Sequence, residues 1–130
     1  MRTLAIVAGA LALSACGTMG GETAPPPAGL DLSGGSFTGW VRVTGEEFQL
    51  FAEQRDLLIM GTQACVSGAL PRNLQRAAGD ISGSQVRFFG RTLAWSERNQ
   101  TQSHDWQGSN IVNGCRKDVV ILADWVEVVR

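Results

Sequence analysis

The chain has 130 residues and a formal net charge of −1, from 11 lysine and arginine residues against 12 aspartate and glutamate residues. Nucleic-acid-binding proteins usually carry a clear basic excess, so this balance argues against a nucleic acid as partner. The length suits one domain with its own core, and it is too short for two once an N-terminal leader is removed.

The first 15 residues have the pattern of a secretory signal peptide. Arg2 supplies a positive charge, residues 4–13 are wholly apolar, and small residues lead to Cys16. An apolar region of about 7–15 residues is typical of such signals, whereas a membrane span needs about 20. The alternative is a short helix buried in a core, which the glycine- and proline-rich stretch that follows disfavours. We therefore predict that residues 1–15 form a signal peptide.

The sequence Leu13-Ser14-Ala15-Cys16 resembles the lipobox of bacterial lipoproteins. The resemblance implies cleavage before Cys16, a diacylglyceryl thioether on its sulfur and an acyl chain on its new amino group. Since two or more acyl chains anchor stably and one is marginal, the expected partner is a membrane, reached through Cys16. Gly17 resembles the pattern for outer-membrane sorting, which implies an outer-membrane location facing the periplasm.

Residues 16–36 have the composition of a linker. Gly, Pro, Thr and Ser dominate, residues 25–27 are three consecutive prolines, and no apolar period appears. Proline runs favour extended polyproline geometry, and such a segment is predicted to be a flexible tether. The folded domain is predicted to occupy residues 37–130.

From Phe37 onward, short apolar alternations separated by turn residues indicate β-strands. In the last of them, Trp125 and Glu127 alternate with Val126 and Val128. A short apolar run lies at residues 57–60. The predicted strands are residues 39–45, 47–52, 65–70, 85–95 and 119–129.

One short helix is predicted for residues 71–79, where Pro71 suits the first position and Gly79 the C-terminal stop. Gly90 lies in the middle of the fourth strand and indicates a bulge or a sharp bend.

Three strands, a short helix and two further strands resemble the OB-fold, a small five-stranded Greek-key barrel. The residues that carry the resemblance are 41–45, 65–70, 71–79, 85–95 and 119–129. The fold class predicted is all-β with small helix content: a five-stranded, OB-like, antiparallel Greek-key barrel with one short helix. A lipocalin-like or other small barrel is the alternative.

The predicted lipid on Cys16 determines how the other two cysteines are interpreted. If Cys16 carries lipid, Cys65 and Cys115 remain in an oxidising compartment, where a pair is predicted to form a disulfide. A metal pair or a redox dithiol are the alternatives, but neither cysteine lies in a CxxC motif. A metal site needs three or four ligands, and His104 is the single histidine. We predict no metal and no cofactor.

Catalysis is predicted to be absent. His104 lies beside Asp105 in the long polar stretch 96–110, yet no Gly-x-Ser-x-Gly elbow occurs, and a solvated loop histidine is expected. The carboxylates Glu46, Glu47, Glu53 and Asp56 could serve glycoside cleavage only at set separations. They flank predicted strand ends, where charged residues solvate turns.

A candidate binding surface combines rings and basic groups. Ring stacking contributes about 1–3 kcal/mol per ligand ring. A bulge at Gly90 would change which side chains share a face, tryptophans are usually core residues, and Trp106 is expected to be the most exposed ring. The surface consists of Arg87, Phe89, Arg91, Trp95, His104 and Trp106.

These observations predict a membrane-anchored, non-catalytic envelope lipoprotein whose barrel binds a protein or a cell-wall component. The alternative is a protein that binds a small ligand or an oligosaccharide through Trp95, Arg91 and residues 96–110. An enzyme acting on the cell wall is the third hypothesis.

Overall fold

The computed structural model describes residues 22–59 and 64–130. The predicted signal peptide, Cys16 and the first part of the predicted linker lie outside the described residues. So does Met60, the last residue of the apolar run at residues 57–60.

Seven strands and one α-helix are described. The helix α1 is Arg72–Ala77, and short 3-10 helices cover Gln54–Leu58, Ala78–Ile81 and Trp95–Glu97. The strands are β1 Ser36–Thr44, β2 Glu47–Phe51, β3 Cys65–Ala69, β4 Gln85–Ala94, β5 His104–Trp106, β6 Ser109–Ile111 and β7 Val119–Val128.

Five of these strands close into a barrel in the order β1-β2-β3-β7-β4, with β4 returning to β1. This confirms the predicted five-stranded barrel with one short helix. One pair departs from the antiparallel prediction, because β3 and β7 are parallel. Directions that alternate around a ring cannot close on an odd number of strands, so a closed five-stranded barrel requires such a pair.

The barrel interior is filled by the inward side chains of alternating strand positions. Phe37 and Val41 of β1 and Val86 and Phe88 of β4 are buried. The ring of Phe88 stacks on that of Phe48 from β2, with centroids 3.7 Å apart. The neighbouring residues in β4 therefore point outward.

The irregularity predicted at Gly90 is present. Phe89 pairs with Trp125 and Gly90 pairs with Ala123, so Asp124 is an extra residue in β7. A Cβ atom on Gly90 would overlap the carbonyl group of Leu122. Glycine is therefore required for the close approach of the two strands at this bulge.

Beyond the bulge, the outer face of the sheet is covered by a second apolar cluster. The β5–β6 hairpin folds over this face, and the ring of Trp106 packs against the cluster from the hairpin side. The predicted polar stretch 96–110 is therefore structured, because its one apolar residue, Trp106, packs on the barrel together with Ile111. The buried members of the cluster are Ala69, Trp95, Ile111, Val120 and Leu122.

The described part of the predicted linker lies on the barrel. Ala24 forms an isolated bridge with Lys117, and its N–H donates to the Arg116 carbonyl at 3.0 Å. Leu30 is buried in the main core cluster. The packed structure therefore begins before Phe37.

The apolar run at residues 57–60 does not continue as a strand within its described residues. Leu57 and Leu58 end a 3-10 helix, and Leu58 is 85% exposed and Ile59 58% exposed. Leu57 packs beside the cluster formed by Phe51 and the cysteines.

Candidate binding surface

An outward-facing pair of aromatic residues joins β4 and β7. Phe89 lies directly opposite Trp125, and Trp125 is 55% exposed. Arg87 and Glu127 form the next outward pair along the same two strands. We call these four residues the Phe89–Trp125 strip. The rings of Phe89 and Trp125 lie outside the barrel core, because their neighbours Phe88 and Val126 take the inward positions.

Charged groups border the rings of the strip. An Arg87 nitrogen, Nη1, lies 3.6 Å from Glu127 Oε1, and Arg87 Nε donates to Thr38 Oγ1 at 3.2 Å. Exposed ion pairs contribute little stability. The two contacts link the outward side chains of β1, β4 and β7 at this end of the strip.

A contact between a ring and a basic group lies past the bulge. The Arg91 guanidinium carbon is 5.6 Å from the Trp106 ring centroid, and Trp106 Nε1 donates to the Ala123 carbonyl at 2.8 Å. The hydrogen bond holds the indole partly buried against β7. The expectation that Trp106 would be the most exposed ring is wrong, because Trp125 is more exposed.

Trp95 does not belong to this surface. The chain turns into a 3-10 helix after Ala94, so Trp95 enters the second apolar cluster and is 9% exposed. Arg98 covers its ring, with the guanidinium carbon 5.1 Å from the centroid. The start of stretch 96–110 therefore lies on the packed ring of Trp95.

His104 is buried, which corrects the expectation of a solvated loop histidine. Its Nδ1 accepts the Asn99 N–H at 3.1 Å, so this nitrogen carries no proton. Burial lowers the pKa of His104 below its ordinary value of 6.5; the charge of Asp105 opposes this and the charge of Arg91 adds to it. The neutral imidazole therefore holds the start of the β5–β6 hairpin through its hydrogen bond with Asn99.

Acidification should therefore weaken the fold through His104. An imidazole whose pKa is lowered on folding contributes stability that is complete above about pH 6.5 and is lost as the pH falls through the folded value. Urea unfolding of the wild type and of His104→Gln at pH 7.5 and pH 5.5 measures this. We expect the larger loss in the wild type, which has no other histidine. Equal losses in both proteins would contradict the prediction.

Two of the acidic residues considered for catalysis, Glu46 and Glu47, accept backbone N–H groups. Glu47 is 3% exposed, and its carboxylate accepts the N–H groups of Val112, Asn113 and Gly114 at 2.8, 3.0 and 2.9 Å. Glu46 is exposed and accepts the Asn110 N–H at 3.0 Å. Glu47 therefore fixes a loop and does not solvate a turn.

The predicted disulfide is present. Cys65, the first residue of β3, is bonded to Cys115 in the loop between β6 and β7. Both cysteines are buried beside Phe51, with Trp40 and Leu57 packed around them. Ser67 Oγ accepts the Cys115 N–H at 3.0 Å, which ties the same loop to β3 a second time.

Two cavities open on the surface. One, of about 310 Å³, lies between the N-terminal segment and the loops that follow β4 and β6, and Arg98 and Arg116 line it beside Trp95. The other, of about 320 Å³, lies between α1 and the turns that join β1 to β2 and β5 to β6. Both have polar linings.

Comparison with protein-family models, curated proteins and solved structures found no match. Across residues 22–59 and 64–130, no three His, Cys, Asp or Glu side chains cluster in a way that could hold a metal ion. The same ranges include no helix with the length and apolar character to cross a membrane.

The structure thus brings together four of the six residues of the predicted surface, in two neighbouring groups. Arg87 and Phe89 lie before the bulge, and Arg91 and Trp106 lie after it. Sequence reasoning omitted Trp125, although its alternation with Val126 is the signal that places it outward. The pairing of β4 with β7 places the Trp125 ring beside Phe89 in this surface.

Proposed function

We propose that the protein is a lipid-anchored, non-catalytic lipoprotein of the cell envelope that binds a partner protein through the Phe89–Trp125 strip. The observation that carries the proposal is the 55% exposure of Trp125 opposite Phe89 on an outer face of the barrel. Large exposed rings are enriched in binding surfaces, where they supply much of the affinity.

The shape of the site favours a protein over a small ligand. The strip lies on the outside of the closed barrel. The charged side chains of Arg87 on β4 and Glu127 on β7 lie beside its two rings along the strands. A central apolar patch with a polar rim is the usual anatomy of a protein interface. Small ligands are usually enclosed in concave apolar pockets.

The docked N-terminal segment supports an anchored arrangement. Seven residues, 17–23, separate Cys16 from Ala24, which is bridged to Lys117. They span about 30 Å at most when fully extended. A lipid on Cys16 would therefore hold the barrel next to the bilayer, within reach of other envelope proteins.

Binding through the strip is tested by cross-linking and pull-down from detergent-solubilised envelope. Trp125→Ser should lower the yield of the captured partner at least about tenfold, as expected for a central interface ring. Leu58→Ser is the matched control, because Leu58 is an exposed apolar side chain on another face. Equal capture by both variants, or saturable muropeptide binding with no protein partner, would contradict the proposal.

The anchor is tested in the same preparation. Cys16→Ser should move the protein from the membrane fraction to the soluble fraction, because the residue that carries the lipid is lost. Immunoblotting of separated fractions measures the shift. Unchanged partition with membranes would refute lipidation and leave the test of the strip unaffected.

A further inference from the structure

The cavity of about 320 Å³ is bounded by three separate pieces of the chain. Arg72, Gln75 and Arg76 of α1 line one side, and Glu46 and Gly108 line the turns opposite. Its volume lies at the lower end of the range for small-molecule pockets in proteins, about 300–1,000 Å³. A short segment of peptide fits this space.

The cavity is held in shape by hydrogen bonds between its walls. Gln75 is 2% exposed; its Oε1 accepts the Leu70 N–H at 3.1 Å and its Nε2 donates to the Gly45 carbonyl at 3.3 Å. Glu46 Oε1 accepts the Asn110 N–H at 3.0 Å, which joins the β1–β2 turn to β6. The walls of the site are therefore preformed, and binding needs to order only the arginine side chains.

Arg72 and Arg76, which both line this cavity, are exposed and lie one helical turn apart on α1. Like charges at this spacing destabilise a helix. The ion pairs of the described residues, Arg55 with Glu53 and Arg87 with Glu127, include neither Arg72 nor Arg76.

The stem of Arg72 is positioned by the β5–β6 turn. Gly108 has a φ of 92°, and a Cβ atom there would lie 2.9 Å from Arg72 Cβ. The backbone N–H of Arg72 donates to the Gln107 carbonyl at 3.0 Å. The guanidinium group therefore projects from a fixed base.

We propose that this cavity binds a peptide by its free C-terminal carboxylate, with Arg72 and Arg76 as the carboxylate donors. Paired guanidinium groups match a carboxylate with charge-assisted hydrogen bonds. The carboxylate of Glu46 reduces the net lining charge to +1, which complements one carboxylate better than a phosphate dianion. Glu46 also lines the cavity, and its carboxylate, which accepts one N–H through Oε1, has further capacity to accept a peptide N–H. The proposal depends on neither the anchor nor the Phe89–Trp125 strip.

The test is calorimetric titration of the full chain in detergent with N-acetyl-trialanine bearing a free carboxylate. Its C-terminal amide is the matched probe. We expect saturable binding of the acid and at least about tenfold weaker binding of the amide. Failure of the acid to saturate below about 10 mM, or equal binding of the amide, would overturn the proposal.

Variants assign the binding to this cavity. Arg72→Gln and Arg76→Gln should each weaken binding about tenfold or more, whereas Arg55→Gln, an exposed arginine elsewhere, should leave it unchanged. Glu46→Gln should weaken binding of the acid and strengthen that of inorganic phosphate. Equal affinity in Arg76→Gln and Arg55→Gln, with both folded by circular dichroism, would overturn the assignment. Phosphate binding as tight as the peptide in the wild type would show a general anion site and also overturn it.

Discussion

Replacing both bonded cysteines by alanine should lower the free energy of unfolding by about 4 kcal/mol. The Cys65–Cys115 bond joins residues 50 apart in sequence, and closing a loop of that length restricts the unfolded chain by about this amount. Small domains have only about 5–15 kcal/mol of stability. The double variant should therefore be marginally folded at 37 °C.

Urea unfolding of the wild type and the double variant, with and without reductant, measures this effect. Reductant should destabilise the wild type by nearly the same amount and leave the variant unchanged. Both cysteines are buried, so alkylation in reductant should require unfolding. A loss below about 1 kcal/mol would show that the bond contributes little to the fold.

The barrel strands were predictable because the residue patterns that specify them lie within each strand. Period-2 alternation identifies β1, β2 and β7, and the glycine in β4 marks the bulge that the pairing confirms. The helix prediction was also close, since Arg72–Ala77 lies inside residues 71–79. Pro71, which caps the helix, supplied a signal that does not depend on distant contacts. Gly79 is not the stop that was predicted, because it lies inside the 3-10 helix Ala78–Ile81.

The outer cover of the barrel was not predictable in the same way. Stretch 96–110 is polar, and the hairpin it contributes to is stabilised by packing of Trp106 and Ile111 on β7. Such packing leaves no period in the sequence. The burial of Leu30 is a similar case, because one apolar residue in a glycine- and proline-rich segment gives no pattern.

The candidate site was predicted only in part, because local alternation shows which side chains share a face but not which strands are paired. Arg87 and Phe89 share an outward face by strand alternation alone. The position of Trp125 beside Phe89 depends on the register of two strands separated in sequence by the whole hairpin. His104 looked exposed because its neighbours are polar, yet the fold buries it against Asn99.

Replacing Glu47 by glutamine should lower the free energy of unfolding by about 2–4 kcal/mol. The carboxylate of Glu47 accepts three backbone N–H groups of the loop that precedes Cys115. Glutamine retains one acceptor oxygen and turns an NH₂ group toward a buried donor. A buried donor without an acceptor costs about 1–3 kcal/mol, and hydrogen bonds to a charged group are stronger than neutral ones.

Glu46→Gln is the control for this change, because the neighbouring carboxylate is exposed and accepts one N–H. Its expected effect is below about 0.5 kcal/mol. Urea unfolding at pH 7 measures both variants. Equal effects would show that the contacts of Glu47 with the loop do not contribute to stability.

The disulfide and Glu47 hold the same loop, so their effects should not add. Cys115 attaches the loop to β3, and Glu47 attaches the preceding residues to β2. Once the bond is removed, the loop can detach, and the N–H groups that Glu47 satisfies become hydrated. Contacts that share a segment typically couple by about 0.5–3 kcal/mol. We expect Glu47→Gln to cost about 1 kcal/mol less in the cysteine-free protein; equal costs in the two backgrounds would show that the loop is held independently at each end.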